Sequence, residues 1–147
     1  MKPGFEDKFM ELQAEYVAFC MDLVKDIEGV EKAYIYISNE KDSRMFNAFY
    51  KIKNEIGRIG IMPIDSNITL NFLRTGTKNI SRIRSLCEEY EADIPTQIKM
   101  YYDVASQSFE AKYKYEPVWT GDSDVTAFSE FEDWAEEETA KLAEEQD

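Results

Sequence analysis

Histidine is absent from this 147-residue sequence, and cysteine occurs only twice. Histidine is the commonest general base and metal ligand, so its absence excludes Ser-His-Asp and Cys-His catalytic sites. Cys20 and Cys87 lie too far apart for a CxxC motif, and zinc sites need more ligands than these. Each cysteine lies on an apolar helical stripe, which predicts two buried free thiols.

The sequence also lacks a phosphate-binding loop and a long apolar run. The segment Gly57-Arg58-Ile59-Gly60 has neither the length nor the GK[ST] ending of such a loop. No run approaches ~18 apolar residues, and the first ten residues carry charges where a signal peptide needs an apolar core. We therefore expect a cytoplasmic protein without a cofactor, a bound metal or a membrane partner.

Basic residues are scarce at the C-terminal end. Residues 116–147 contain 12 acids and one base, whereas residues 41–84 contain nine bases and three acids. With a net charge of −13, the chain repels nucleic acids, and its acidic end is expected to steer a basic partner toward it. Arg74, Lys78 and Arg82 form a basic stripe that fits a phosphate site, a solvated face or an internal partner of the acidic end.

Apolar periodicity predicts an α+β fold in a single domain spanning residues 1–147. The predicted order is α-β-β-α-β-β-α, with a four-stranded, largely antiparallel sheet and helices packed on it. The stretch 54–65 has no defined pattern. The predicted elements are a helix over 5–27, strands over 33–38 and 45–52, a helix over 66–90, strands over 97–104 and 109–116, and an acidic helix over about 124–145.

Aromatic residues beside acids indicate protein recognition. In the first hairpin, Tyr34, Tyr36 and Phe49 face away from the core, so they are either exposed or covered by a further element such as 54–65. In the last helix, acids surround an aromatic seam that includes Phe128 and Trp134. The candidate partner-binding residues are Tyr101, Asp103, Trp119, Asp122, Asp124, Glu130, Asp133, Glu136 and Glu137.

Two chemical readings of these acids are less favoured. A calcium loop over Asp122, Asp124 and Asp133 would have Ala127 where glycine is required, so helix capping by Asp122 or Asp124 explains the acids better. Asp103, flanked by tyrosines, is the carboxylate that best suits a hydrolase with paired carboxylates. Its position on the solvent-facing side of a β-hairpin is the simpler explanation.

The order of these motifs resembles the YezG-type immunity proteins, which neutralise secreted bacterial nuclease toxins by direct binding. The similar stretches are the amphipathic first helix, AYIYIS, RMFNAFYKI, Ile61-Met62-Pro63, IKMYYDVASQSFEAKYKY and FSEFEDWAEE. The basic second helix departs from the family pattern. The resemblance implies an inhibitor of a cognate toxin, with no catalytic residues of its own.

Three hypotheses follow. The first is an immunity or antitoxin protein that blocks a toxin by electrostatic steering and aromatic docking. The second is a chaperone or adaptor for a secreted effector, a class that is usually dimeric and would self-associate through the hairpin or the last helix. The third is a hydrolase that uses paired carboxylates.

Overall fold

The computed structural model describes residues 1–121 and 124–145 as one five-stranded antiparallel sheet with helices on both faces. The α+β class and the antiparallel pairing are confirmed. The elements are α1 (Phe5–Leu23), β1 (Val30–Glu40), β2 (Ser43–Ile52), β3 (Glu55–Arg58), a 3-10 turn (Ile59–Ile61), α2 (Ser66–Lys78), α3 (Ile80–Glu89), β4 (Gln97–Asp103), β5 (Phe109–Lys114) and α4 (Ala127–Glu145).

The sheet has the order β3-β2-β1-β4-β5, so the prediction of four strands is wrong. The additional strand, β3, comes from the stretch 54–65. It pairs with the end of β2 after a tight turn in which Lys53 and Asn54 have positive φ angles. With only four residues, β3 is too short for its periodicity to be recognised in the sequence.

The central strand β1 is buried on both faces. Ala33, Ile35 and Ile37 face α1, α2 and α3, whereas Tyr34 and Tyr36 lie under α4 on the opposite face. Alternating side chains of one strand therefore enter two separate cores. The helices α1, α2 and α3 cover the larger core, and α4 covers a smaller, mostly aromatic one.

The predicted helix over 66–90 is in fact two helices that meet at Asn79. Of the two residues that could cap the first helix, Asp65 and Ser66, the structure uses Asp65, whose carboxylate accepts a hydrogen bond from the Asn67 N–H at 2.8 Å. Gly76 does not break the helix. A Cβ there would lie 2.1 Å from the Phe46 ring, so glycine allows β2 and α2 to approach closely.

The aromatic residues of the first hairpin are not an exposed recognition surface. Tyr34, Tyr36 and Phe49 are buried, and α4 covers them, rather than the stretch 54–65. Trp134 lies against this cluster, with its ring centroid 4.9 Å from that of Phe49, and is only 2% exposed. Trp134, from the aromatic seam of the last helix, therefore belongs to the core.

Within the described residues, no helix combines the length and the apolar character that crossing a membrane requires.

Candidate protein-binding site

The outer surface of α4 is acidic. Asp133, Glu136 and Glu137 are exposed on the side that faces away from the sheet, and Glu130 is partly buried at its border. We call these four residues the acidic face. None of the four forms an ion pair within 4.0 Å with another described residue, although Glu130 and Glu137 lie close enough to Lys99 to act on its charge.

Arg58 at the end of β3 forms an ion pair with α4. Its guanidinium nitrogens Nε and Nη2 lie 3.1 Å and 3.0 Å from Oε2 of Glu132. The basic stripe of α2 and α3 does not have this role, because those helices lie on the opposite face of the sheet. Arg82 of the stripe instead pairs with Glu15 of α1 at 3.0 Å.

α4 begins at Ala127, later than predicted, and its cap is a pair of hydroxyl residues. The Thr126 hydroxyl accepts a hydrogen bond from the Ser129 N–H at 2.9 Å, and the Ser129 hydroxyl accepts one from the Thr126 N–H at 2.8 Å. This reciprocal arrangement is a capping box. Asp124 precedes the cap in an exposed turn, and Asp122 lies outside the described residues.

A groove of about 720 Å³ lies at the N-terminal end of α4. Phe128 is predicted in the aromatic seam of α4, but in the structure it lies in the first turn of the helix, is 58% exposed and lines this groove. The lining residues are Lys41, Ser43, Met45, Trp119, Thr120, Gly121, Val125, Thr126, Ala127 and Phe128. An apolar side chain of a partner could pack against the apolar residues of this groove.

Trp119 forms one wall of the groove and is anchored to the sheet. It is partly buried, and its indole Nε1–H donates to the Ser38 hydroxyl at 3.2 Å. The anchor leaves the ring little freedom, so a contact with a partner would cost little further conformational entropy. Trp119 is therefore a preorganised aromatic residue of a groove that Phe128 also lines.

The buried carboxylate of Glu40 organises the segment that leads to α4. It accepts hydrogen bonds from the backbone N–H groups of Val118 at 3.1 Å, Trp119 at 3.3 Å and Thr120 at 2.8 Å. Burial alone would raise the pKa of this carboxyl, but the hydrogen bonds from Thr120, Val118 and Trp119 outweigh it and lower the pKa. Glu40 thus fixes the position of Trp119.

Sequence reasoning missed Glu40, because the run from Ser38 to Ser43 has the composition of a turn. In the structure β1 continues to Glu40, and the turn contains only Lys41 and Asp42. Lys41 adopts a positive φ of 54° to close it. The sequence around this acid shows only a short turn. It does not indicate that the carboxylate accepts hydrogen bonds from three backbone N–H groups.

Tyr101 and Asp103 do not belong to the groove. The Tyr101 ring is partly covered by Trp134, with centroids 5.3 Å apart, so the predicted solvent-facing side of the second hairpin is only partly open. In the strand register, Asp103 lies opposite Lys32 near the start of β1, whereas the Trp119 indole donates a hydrogen bond to Ser38. Six residues of a strand separate these points, which corresponds to about 20 Å.

Asp103 has the environment of a turn residue. Its carboxylate accepts hydrogen bonds from the backbone N–H and the hydroxyl of Ser106, each at 3.0 Å. The backbone N–H of Ser106, and then its hydroxyl, lower the pKa of this carboxyl. A general acid of a glycosidase needs a raised pKa in an apolar pocket. The surroundings of Asp103 therefore give no support to the hydrolase hypothesis.

In the described ranges, 1–121 and 124–145, no group of three or more Cys, Asp or Glu side chains is arranged to hold a metal ion. A scan of the sequence against models of protein families finds no match, and a search of the curated proteins finds none either.

Proposed function

We propose that this protein is an immunity protein that binds a basic toxin domain through the acidic face of α4 and the neighbouring groove. The observation that carries the proposal is their juxtaposition. The acidic face begins at Glu130, two residues after Phe128, which lines the groove together with Trp119 and with the basic residue Lys41. Protein interfaces combine aromatic anchors with a polar rim in the same way.

The two parts of the site would act at different stages of binding. Exposed like charges attract an oppositely charged partner over about one Debye length, which is ~8 Å at physiological salt. The acidic face would therefore accelerate encounter with a basic domain. Insertion of an apolar side chain between Trp119 and Phe128 would then slow dissociation, because it removes apolar surface from water.

The immunity role itself rests on the resemblance to the YezG-type proteins, whose members bind nuclease toxins. A nuclease domain binds a polyanion and so presents a basic surface, to which an acidic face is electrostatically complementary. An acidic inhibitor on that surface would exclude the nucleic acid, because both ligands compete for the same lysine and arginine side chains.

The test is co-expression with a candidate toxin. The candidate is the C-terminal domain of the protein that the neighbouring gene encodes. We expect that domain to arrest growth when expressed alone, and this protein to restore growth and to form a complex with it. A neighbouring product that is harmless, or that arrests growth equally in both cases, would contradict the proposed function.

A charge-reversal pair tests the acidic face in that complex. Asp133→Lys with Glu137→Lys should slow association at low salt, and the difference should shrink as salt rises. The matched control is Glu28→Lys with Glu89→Lys, an identical change of charge at two exposed positions outside α4. Equal association rates for the two variants would show that binding occurs at another surface.

A further inference from the structure

The strand β5 lies at the edge of the sheet. The Asp103 N–H donates to the Ser108 carbonyl at 3.0 Å, which identifies these two residues as a hydrogen-bonded pair. Because such pairs alternate along an antiparallel ladder, Glu110, Lys112 and Lys114 direct their backbone groups toward β4. The N–H and C=O groups of Phe109, Ala111 and Tyr113 therefore point outward.

No described element covers this edge. Proteins usually protect edge strands, since unpaired N–H and C=O groups readily pair with another chain. The other edge strand, β3, has only four residues and is contacted by α4. β5 is longer, and its six residues alternate between Phe, Ala and Tyr on one face and Glu, Lys and Lys on the other.

We propose that two copies of this chain pair through β5, antiparallel and with the two-fold axis at Ala111. This register places Phe109 opposite Tyr113 of the second copy, so the outward backbone groups of both strands meet. It also places Glu110 opposite Lys112 of the second copy, twice by symmetry. Opposite charges at directly facing positions stabilise a strand pair.

The neighbouring registers are less favourable. An axis at Glu110 places the two Glu110 carboxylates opposite each other. An axis at Lys112 sets Glu110 opposite Lys114 of the second copy, but it also places the two Lys112 ammonium groups opposite each other. An axis between two residues sets outward backbone groups against groups already bonded to β4. The charge sequence of β5 therefore selects the register centred on Ala111.

The surroundings of Lys112 favour the same pairing. Within the sheet Lys112 lies directly opposite Lys99, and Lys114 follows on the same face. Facing like charges destabilise a strand pair. Glu110 of the second copy would bring a further carboxylate to this lysine cluster, in which the Lys112 ammonium lies 5.2 Å from the Tyr101 ring centroid and the Lys99 ammonium 5.4 Å from that of Trp134. Glu130 and Glu137 of α4 act on the charge of Lys99.

An exposed apolar surface adjoins the edge on the opposite face of the sheet. Tyr113, Tyr115 and Met10 are all more than one-third exposed, and they line a depression of about 440 Å³ between β5 and α1. A stable interface commonly buries ~800 Å² on each partner. The strand pair alone covers less than that, and this apolar surface supplies the additional area next to it.

Sedimentation velocity on the purified chain, from micromolar to millimolar concentration, tests the proposal without any toxin. We expect a reversible dimer. Glu110→Lys or Lys112→Glu alone should weaken it by about tenfold, since each turns two attractive pairs into two repulsive ones. The double variant Glu110→Lys with Lys112→Glu should restore it. The control Lys114→Glu faces Ser108 of the second copy and should have little effect.

Ala111→Pro tests the backbone pairing. Proline removes the central outward N–H, and an edge strand tolerates it where that group faces solvent. We expect a folded monomer, with the fold checked by circular dichroism. A natural chain that stays monomeric at millimolar concentration would overturn the proposal, as would a dimer insensitive to the two single reversals and to Ala111→Pro.

Discussion

The two faces of the sheet are built differently. On one face, α1, α2 and α3 cover a core of aliphatic and aromatic residues with two buried cysteines. On the other face, the single helix α4 and the sheet form a core of six buried residues, five of which are aromatic: Tyr34, Tyr36, Phe49, Phe131 and Trp134. The first face has many elements that support one another, and the second has one helix with few attachments.

The larger core and the candidate binding surface therefore lie on opposite faces of the sheet. Three packed helices support one another, whereas α4 contacts the sheet through Phe131, Trp134 and Ala135 and through the partly exposed Arg58–Glu132 ion pair, and it follows the segment held by Glu40. The acidic face and the groove both lie on this second layer. The candidate binding surface is therefore attached by a few contacts that can each be removed.

The largest effect is expected for Trp134→Ala. Removing a buried aromatic side chain costs about 4 kcal/mol of unfolding free energy, because it loses apolar burial and leaves a cavity. The Trp134 ring contacts Tyr34, Tyr36, Phe49 and Tyr101, so the small core loses its centre. Denaturant unfolding measures the loss. Trp119→Ala is the control and should cost clearly less, since Trp119 is only partly buried.

Glu40→Gln should lower the free energy of unfolding by about 2 kcal/mol, because a charged acceptor of several backbone N–H hydrogen bonds becomes neutral. The folded-state pKa of Glu40 lies below its unfolded value, so its stabilisation is present above about pH 4.5 and disappears as the pH falls through the folded pKa. The natural chain should therefore lose more stability than Glu40→Gln on acidification. Thermal melts over a pH series measure this, and parallel curves for the two proteins would contradict the assigned role.

Gly76→Ala should destabilise the three-helix face by about 1 kcal/mol in total. The added methyl group overlaps the Phe46 ring, and overpacking costs about 1–3 kcal/mol, but alanine favours the helix by up to about 1 kcal/mol. Chemical denaturation of Gly76→Ala tests this balance. Phe46→Leu combined with Gly76→Ala should recover part of the loss if the clash is its cause, and no recovery would argue against it.

The smallest effect concerns the thiols. Cys20 and Cys87 are both fully buried, and burial raises the pKa of Cys87 to about 11, so neither should react quickly near neutral pH. Both belong to the three-helix face. Thiol labelling without denaturant should stay slow in the natural chain and also when α4 is weakened by Trp134→Ala at low denaturant. Fast labelling in that variant would mean that the two faces open together.

The sequence predicted the elements with long, strong periodicity. The helix α1, the strands β1, β2, β4 and β5, and the acidic helix α4 all appear, with ends that differ by a few residues. The fifth strand and the division of the second long helix at Asn79 were not predicted. A four-residue strand has too few alternations of apolar and polar residues to identify in a sequence. Asn79 keeps the αR backbone conformation of a helix, so the division between α2 and α3 leaves no break in the helical pattern.

The candidate site was predicted in part. Glu130, Asp133, Glu136 and Glu137 lie together on α4, and Trp119 lies near its start, but Asp103 is at the other end of the sheet. Positions along one helix follow from its period of 3.6 residues. Distances between separate elements do not, because they depend on how the chain crosses the sheet after β5.

Composition and periodicity by themselves determined the α+β class, the antiparallel pairing, the burial of Cys20, Cys87 and Trp134, and the concentration of acids on α4. These properties depend on local geometry and on the transfer of apolar side chains out of water. Only the tertiary structure decided which element covers Tyr34, Tyr36 and Phe49, and that Glu40 is a buried hydrogen-bond acceptor. Those outcomes depend on contacts between residues up to about a hundred positions apart, which no local pattern records.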